Sequence, residues 1–76
     1  MNYYKISDFN TAAILFTLGK KIHNFEGTMP RKIFIFEDDG TIDEIRIKLY
    51  RRELLIEPLA FIDAEKNLKK IIYGEV

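Results

Sequence analysis

The stretch FEDDGTIDE, residues 36–44, sets five carboxylates within nine positions of a chain whose formal net charge is zero. Carboxylates at that density serve a cation site, an acid–base pair, or a strand-to-helix junction where anions meet the positive end of a helix. A calcium loop needs oxygen ligands at alternating positions, a glycine in the turn, and a bidentate carboxylate about six residues beyond it. With Gly40 as that glycine, Glu37 and Asp39 fall on ligand positions, but the first ligand would be Ile35 and the last Arg46. The calcium reading fails at both ends. A helix start fits better: Thr41 as N-cap and Glu44 three residues later make a capping box, and Asp43 adds charge to the first turn. Glu37, Asp38 and Asp39 then remain as an acidic contact surface at a strand end. A minimal metal-dependent nuclease built on these three is disfavoured, because neighbours on a strand point apart while catalytic carboxylates must converge.

Other reactive side chains are sparse. His23 is the only histidine, Ser7 the only serine, and there is no cysteine. Hydrolytic triads and histidine metal sites need a partner that is missing here. On an edge strand, His23 is expected to be solvated or paired with a neighbour, and Ser7 is accounted for as a helix N-cap. The four glycines are scattered singly, so no phosphate-cradling loop occurs. These absences point away from an enzyme and from any cofactor or metal. Basic residues come in pairs: Lys20 with Lys21, Arg31 with Lys32, Arg51 with Arg52, and Lys69 with Lys70. For a nucleic-acid ligand, Arg31, Lys32, Arg51 and Arg52 would contact phosphates and Tyr50 would stack on a base. The bland reading of the pairs is solvated faces, and of Tyr3, Tyr4 and Tyr73 rings at core edges with wet hydroxyls.

These residues must be positioned by a small set of elements. NYYKI, residues 2–6, reads as a strand. Ser7 caps the next helix and Asp8 sits in its first turn, with Phe9, Ala12, Ala13 and Phe16 at helical spacing and Gly19 as the stop. Ile14, Leu15 and Leu18 widen the apolar stripe, which implies packing on more than one side. Two extended arms, residues 20–26 and 31–37, flank GTMP, a connection of hairpin length. In the second arm Ile33 and Ile35 face one way, Phe34 and Phe36 the other. Such a strand belongs at the centre of a sheet, covered on both sides or shielded by a partner. The first arm is polar enough for an edge. A helix over TIDEIRIKLYRREL follows, with Ile42, Ile45 and Leu49 inward. Pro58 then opens a last helix outlined by Leu59, Ile62, Leu68, Ile71 and Ile72, ending near Gly74. The expected fold is α+β: a three-stranded antiparallel sheet of order 2-3-1 in β-α-β-β-α-α topology, with residues 1–76 as a single domain.

A chain of 76 residues buries a thin core, only about 60% of its unfolded surface. Twelve basic and twelve acidic side chains cancel, so no overall field draws in nucleic acid or anionic lipid. No apolar run approaches the roughly 20 residues of a membrane span. With no cysteine, a reducing, cytoplasmic setting is expected.

Several segments taken together resemble a family of short phage and bacterial proteins known as a domain of unknown function. They are YYKISD, AAILFTLGKKI, PRKIFIFED, YRRELLIEPLAFI and KNLKKIIY, in that order along the chain. Each is a pattern of packing and turn residues. The resemblance implies an intact small domain of phage or prophage origin and supplies no catalytic residues. Two expectations follow from the residues. The first is an interaction module without catalysis that binds a protein partner or itself as a homo-oligomer, since wide apolar helices and a two-faced strand exceed what a thin core hides. The alternative is a nucleic-acid-binding accessory protein using the paired basic residues.

Overall fold

Strand β3, Ile33–Asp38, lies at the centre of the computed structural model, which describes residues 2–28 and 32–74. Its neighbours are β1, Asn2–Ile6, and β2, Ile22–Glu26, both antiparallel to it, so the sheet order is β1-β3-β2. Helix α1, Phe9–Thr17, links β1 to β2, while α2, Ile42–Tyr50, and α3, Pro58–Tyr73, follow β3. The β-α-β-β-α-α order and mixed α+β class are those expected from the sequence. Arg31 and the Met29–Pro30 part of the hairpin connection lie outside the described residues.

Register explains how a strand of alternating Ile and Phe is accommodated. Phe34 pairs with Ile6 and Phe25, and Phe36 with Tyr4 and Ile22, which puts all six on one face of the sheet. All three helices cover that face. Phe34 and Phe36 form one buried cluster with Ala12, Ala13 and Leu15 of α1, Ile42 of α2 and Leu68 of α3. Each large side chain so buried contributes about 1.5–3 kcal/mol. α1 packs against α3, α2 and β1, as its wide apolar stripe predicts.

The opposite face carries no helix, yet Ile35 is only 8% exposed. Its cover comes from the flanking strands. Tyr3 on β1 and His23 on β2 stack across β3 with ring centroids 4.2 Å apart. Lys5 on β1 and Glu26 on β2 close a second bridge at 3.1 Å. His23 can reach over because the β2 register slips between Ile22 and Asn24, a bulge that leaves it without an opposite partner on β3. The covered or partner-shielded face foreseen from the sequence is thus covered from within the sheet.

Several boundaries differ from expectation. The α1 N-cap is Asp8, not Ser7: the Asp8 carboxylate accepts from the Thr11 backbone N–H at 2.9 Å and from the Thr11 hydroxyl at 2.6 Å. A carboxylate beats a hydroxyl here because it satisfies two donors and favours the helix dipole. Gly19 does stop α1, at φ +85°, with Lys20 N–H donating to Leu15 O and Gly19 N–H to Phe16 O. α2 is shorter than foreseen and stops at Tyr50, because Arg52 turns left-handed at φ +59° and repeats the same closing bonds, to Leu49 O and, from Glu53, to Lys48 O. Pro58 opens α3 as expected, with the Glu57 side chain capping the Ala60 N–H at 2.6 Å, and Gly74 ends it at φ +70°. The inward face of α3 is the unexpected part. Ala64 and Leu68 are buried and Phe61 and Ile72 pack beside them, whereas Leu59, Ile62 and Ile71 are exposed.

Candidate interaction surfaces

The acidic turn is held together by its own side chains. Asp38 accepts from the Gly40 N–H at 2.9 Å, and Asp39 from the Thr41 N–H at 3.1 Å and the Thr41 hydroxyl at 2.6 Å. Asp side chains folding onto the backbone two residues on are a standard way of making such a turn. Lys20, from the α1–β2 turn, reaches across to donate to Asp39 at 3.0 Å and to the Thr41 hydroxyl. The Thr41 hydroxyl bond, then Lys20, hold the Asp39 carboxyl well below its ordinary range. Thr41 stands at the N-cap position, but its side chain is taken up by Asp39 and Lys20, so the expected capping box does not form.

The three carboxylates therefore separate. Glu37 pairs with Tyr3 and belongs to the helix-free face of the sheet; Asp38 has the parity of Phe36. Glu37 and Asp39 line a small hollow of about 200 Å³ with Gly19, Lys20 and Lys21, where acid and base are balanced. Among the described residues no three His, Asp or Glu side chains gather as a metal site. His23 is engaged with Tyr3.

Among the described residues, those singled out for nucleic acid occupy two places. Lys32 precedes β3 with its ammonium 6.0 Å from the Phe25 ring centre. Tyr50, Arg51 and Arg52 are exposed at the end of α2, Tyr50 at 92%. Tyr50 shares a surface hollow of about 490 Å³ with Tyr4, Asp43, Arg46 and Ile47. There the Tyr4 hydroxyl donates to Asp43 at 2.6 Å and accepts from the Arg46 guanidinium at 2.8 Å, which also lies 5.6 Å from the Tyr4 ring centre. Sequence reading missed this network. The three-residue spacing of Asp43 and Arg46 was visible, but their meeting with Tyr4 depends on β1 and α2 lying side by side.

The outward side of α3 carries a row of uncovered apolar side chains. Leu59 is 68%, Ile62 42% and Tyr73 59% exposed, and with Lys66 they fall at intervals of three, four and seven residues, hence on one face. Asp63 and Lys70 flank that stripe, both exposed. Lys69 turns toward α1, its ammonium 5.9 Å from the Phe9 ring centre. The remaining exposed apolar residue of the helix, Ile71, instead lines a groove of about 690 Å³ with Phe16, Ile22 and Phe25.

A three-stranded antiparallel sheet with helices on one face and no convergent reactive groups among the described residues defines a small α+β domain of the two-layer kind. The chain belongs to the family described as domain of unknown function DUF5659, which it matches over residues 1–74. No curated protein and no solved structure shows a significant match. No helix among the described residues is long and apolar enough to cross a membrane.

Proposed function

We propose that this domain is a small, non-catalytic interaction module whose contact surface is the outward face of α3, binding a protein partner or a second copy of itself. One observation carries this reading: Leu59, Ile62 and Tyr73 stand exposed on one face of a helix whose other face is already packed. Scattered exposed apolar residues are ordinary, but an aligned row on a regular element marks contact sites. The carboxylates that suggested chemistry support a structural role, since Asp38 and Asp39 are spent on the turn. A cytoplasmic setting and a phage or prophage origin belong to the same proposal, resting on the cysteine-free composition and the resemblance of the segments above. The test is a photo-crosslinking residue at position 62 in living cells. A defined adduct that disappears with Leu59→Glu is expected; the absence of any adduct sensitive to that change would overturn the reading.

A second reading, single-stranded nucleic-acid binding, draws on the end of α2, where the nearly free ring of Tyr50 adjoins Arg51 and Arg52. Arg52 holds a backbone conformation that costs a non-glycine residue about 1–2 kcal/mol. Arg52→Gly separates the two roles, because it would stabilise the fold while removing a phosphate contact. If this reading holds, oligonucleotide affinity falls steeply with salt and drops again in Arg52→Gly. Equal affinity in wild type and variant would exclude it.

A further inference from the structure

The charge pattern on α3 selects an occupant for its outward face. Leu59 and Tyr73 lie seven residues on either side of Lys66, and Asp63 and Lys70 are symmetric about the Lys66–Asn67 bond. The two centres lie only half a residue apart, about 0.75 Å along the helix, so one two-fold axis across its middle serves both pairs. Two such helices laid antiparallel would set Leu59 against Tyr73 and Asp63 against Lys70 of the other copy, twice each. Ile62 lies on the other flank of the stripe and would border the same contact. We propose that the partner of this face is a second copy of the chain, joined by an antiparallel α3–α3 pairing about that axis. The proposal rests on reading the outward face of α3 as the contact surface.

Two features of the helix agree with this occupant. Its charged residues are polarised, with Glu57, Asp63 and Glu65 toward the N-terminal end and Lys66, Lys69 and Lys70 toward the other, so a parallel pairing would place like charges together. The macrodipole favours the same polarity within one helix, but it is indifferent to which face the charges occupy. The flank shared by Asp63 and Lys70 is beside the exposed apolar stripe, where cross-helix ion pairs set orientation. A helix of 16 residues is about 24 Å long, and one such contact falls at the small, weak end of interfaces. Lys66 meets its symmetry mate at the axis, which weakens the pairing further.

Sedimentation velocity across micromolar to millimolar concentration reads the outcome directly. The wild type is expected to move from one chain toward two as concentration rises. Asp63→Lys and Lys70→Asp each break two symmetric ion pairs and would weaken the dimer about tenfold, while the double charge swap restores it. Lys66→Leu would tighten it, and Leu59→Glu would abolish it. All four positions are exposed, and circular dichroism confirms that each variant is folded. A chain that stays monomeric at millimolar concentration overturns the self-pairing, as does a dimer indifferent to both single charge changes. The crosslink at position 62 keeps the two proposals distinct. An adduct with a different protein from a monomeric chain refutes the homodimer and retains the contact face; no adduct refutes both.

Discussion

Two apolar surfaces of this domain face away from the core, and they are treated oppositely. On the sheet, Ile35 is nearly buried because side chains from both edge strands close over it; on α3, Leu59 is two-thirds exposed. The difference follows from geometry. Neighbouring strands lie about 4.8 Å apart, so residues two strands away meet across a central one, whereas an outer helix has no flanking element at that distance. A three-stranded sheet can therefore cover its own middle. A helix on the outside of a small layer cannot, and its outward apolar side chains stay exposed.

The sharpest way to break this comparison is to truncate one residue from each surface. Ile35→Ala should cost about 2–4 kcal/mol in urea unfolding, as for a buried side chain, while Leu59→Ala should stay within about 0.5 kcal/mol. Equal losses at the two sites would mean that the sheet face is not closed as described.

Acid pH probes the end of the sheet, where Lys20 ties the α1–β2 turn to the turn after β3. The Asp39 carboxyl is lowered in the folded chain, chiefly by the Thr41 hydroxyl and then by Lys20. A group depressed on folding binds fewer protons in the native state than in the unfolded state, so its contribution is present above the unfolded value, near pH 4, and is lost as pH falls further. Stability measured by denaturant titration should decline below about pH 4, and Asp39→Asn should lower stability at neutral pH while flattening that decline. An unchanged acid slope in the variant would place the pH dependence elsewhere.

How much of this was legible beforehand depends on the range of the interaction involved. The strand order, the edge position of β2 and the Pro58 start of α3 were readable, because alternation and proline are local signals. Ser7 against Asp8 was a choice between adjacent capping residues, which sequence ranks almost equally. The capping box at Thr41 failed through a residue 21 positions away, since Lys20 claims that hydroxyl. For α3 the periodicity was right and the face was right only in part: Leu68 and Ile72 pack inward as outlined, whereas Leu59, Ile62 and Ile71 do not. Apolar residues lie on more than one side of this helix, and only the position of α1 decides which side is buried. The Tyr3 and His23 stack was hidden for a similar reason: a bulge shifts His23 out of simple alternation. The acidic residues were visible as a group, but their separation into turn, salt link and sheet face was not.

The two bridges over Ile35 should differ in how tightly their ends are coupled. A stacked aromatic pair contributes about 0.5–1.5 kcal/mol beyond its buried area. A double-mutant cycle on Tyr3→Ala and His23→Ala should return a coupling in that range, measured by equilibrium unfolding. A coupling near zero would mean that the rings cover Ile35 independently and do not hold each other.

The smallest effect is expected at the second bridge, and it tests what that bridge contributes. Both partners of the Lys5–Glu26 pair are substantially exposed, so water and salt screen the charges and the pair itself is worth at most about 1 kcal/mol. The Lys5 stem is another matter, because Lys5 stands directly opposite Ile35, and lysine methylenes cover apolar surface while the ammonium stays in water. If cover matters more than charge, Lys5→Met should change stability by only a few tenths of a kcal/mol, whereas Lys5→Ala, which opens the sheet face, should cost more. The reverse order, with Met as harmful as Ala, would make the ion pair and not the stem the reason that Ile35 stays dry. The sheet face would then depend on salt, and its contrast with α3 would shrink as ionic strength rises.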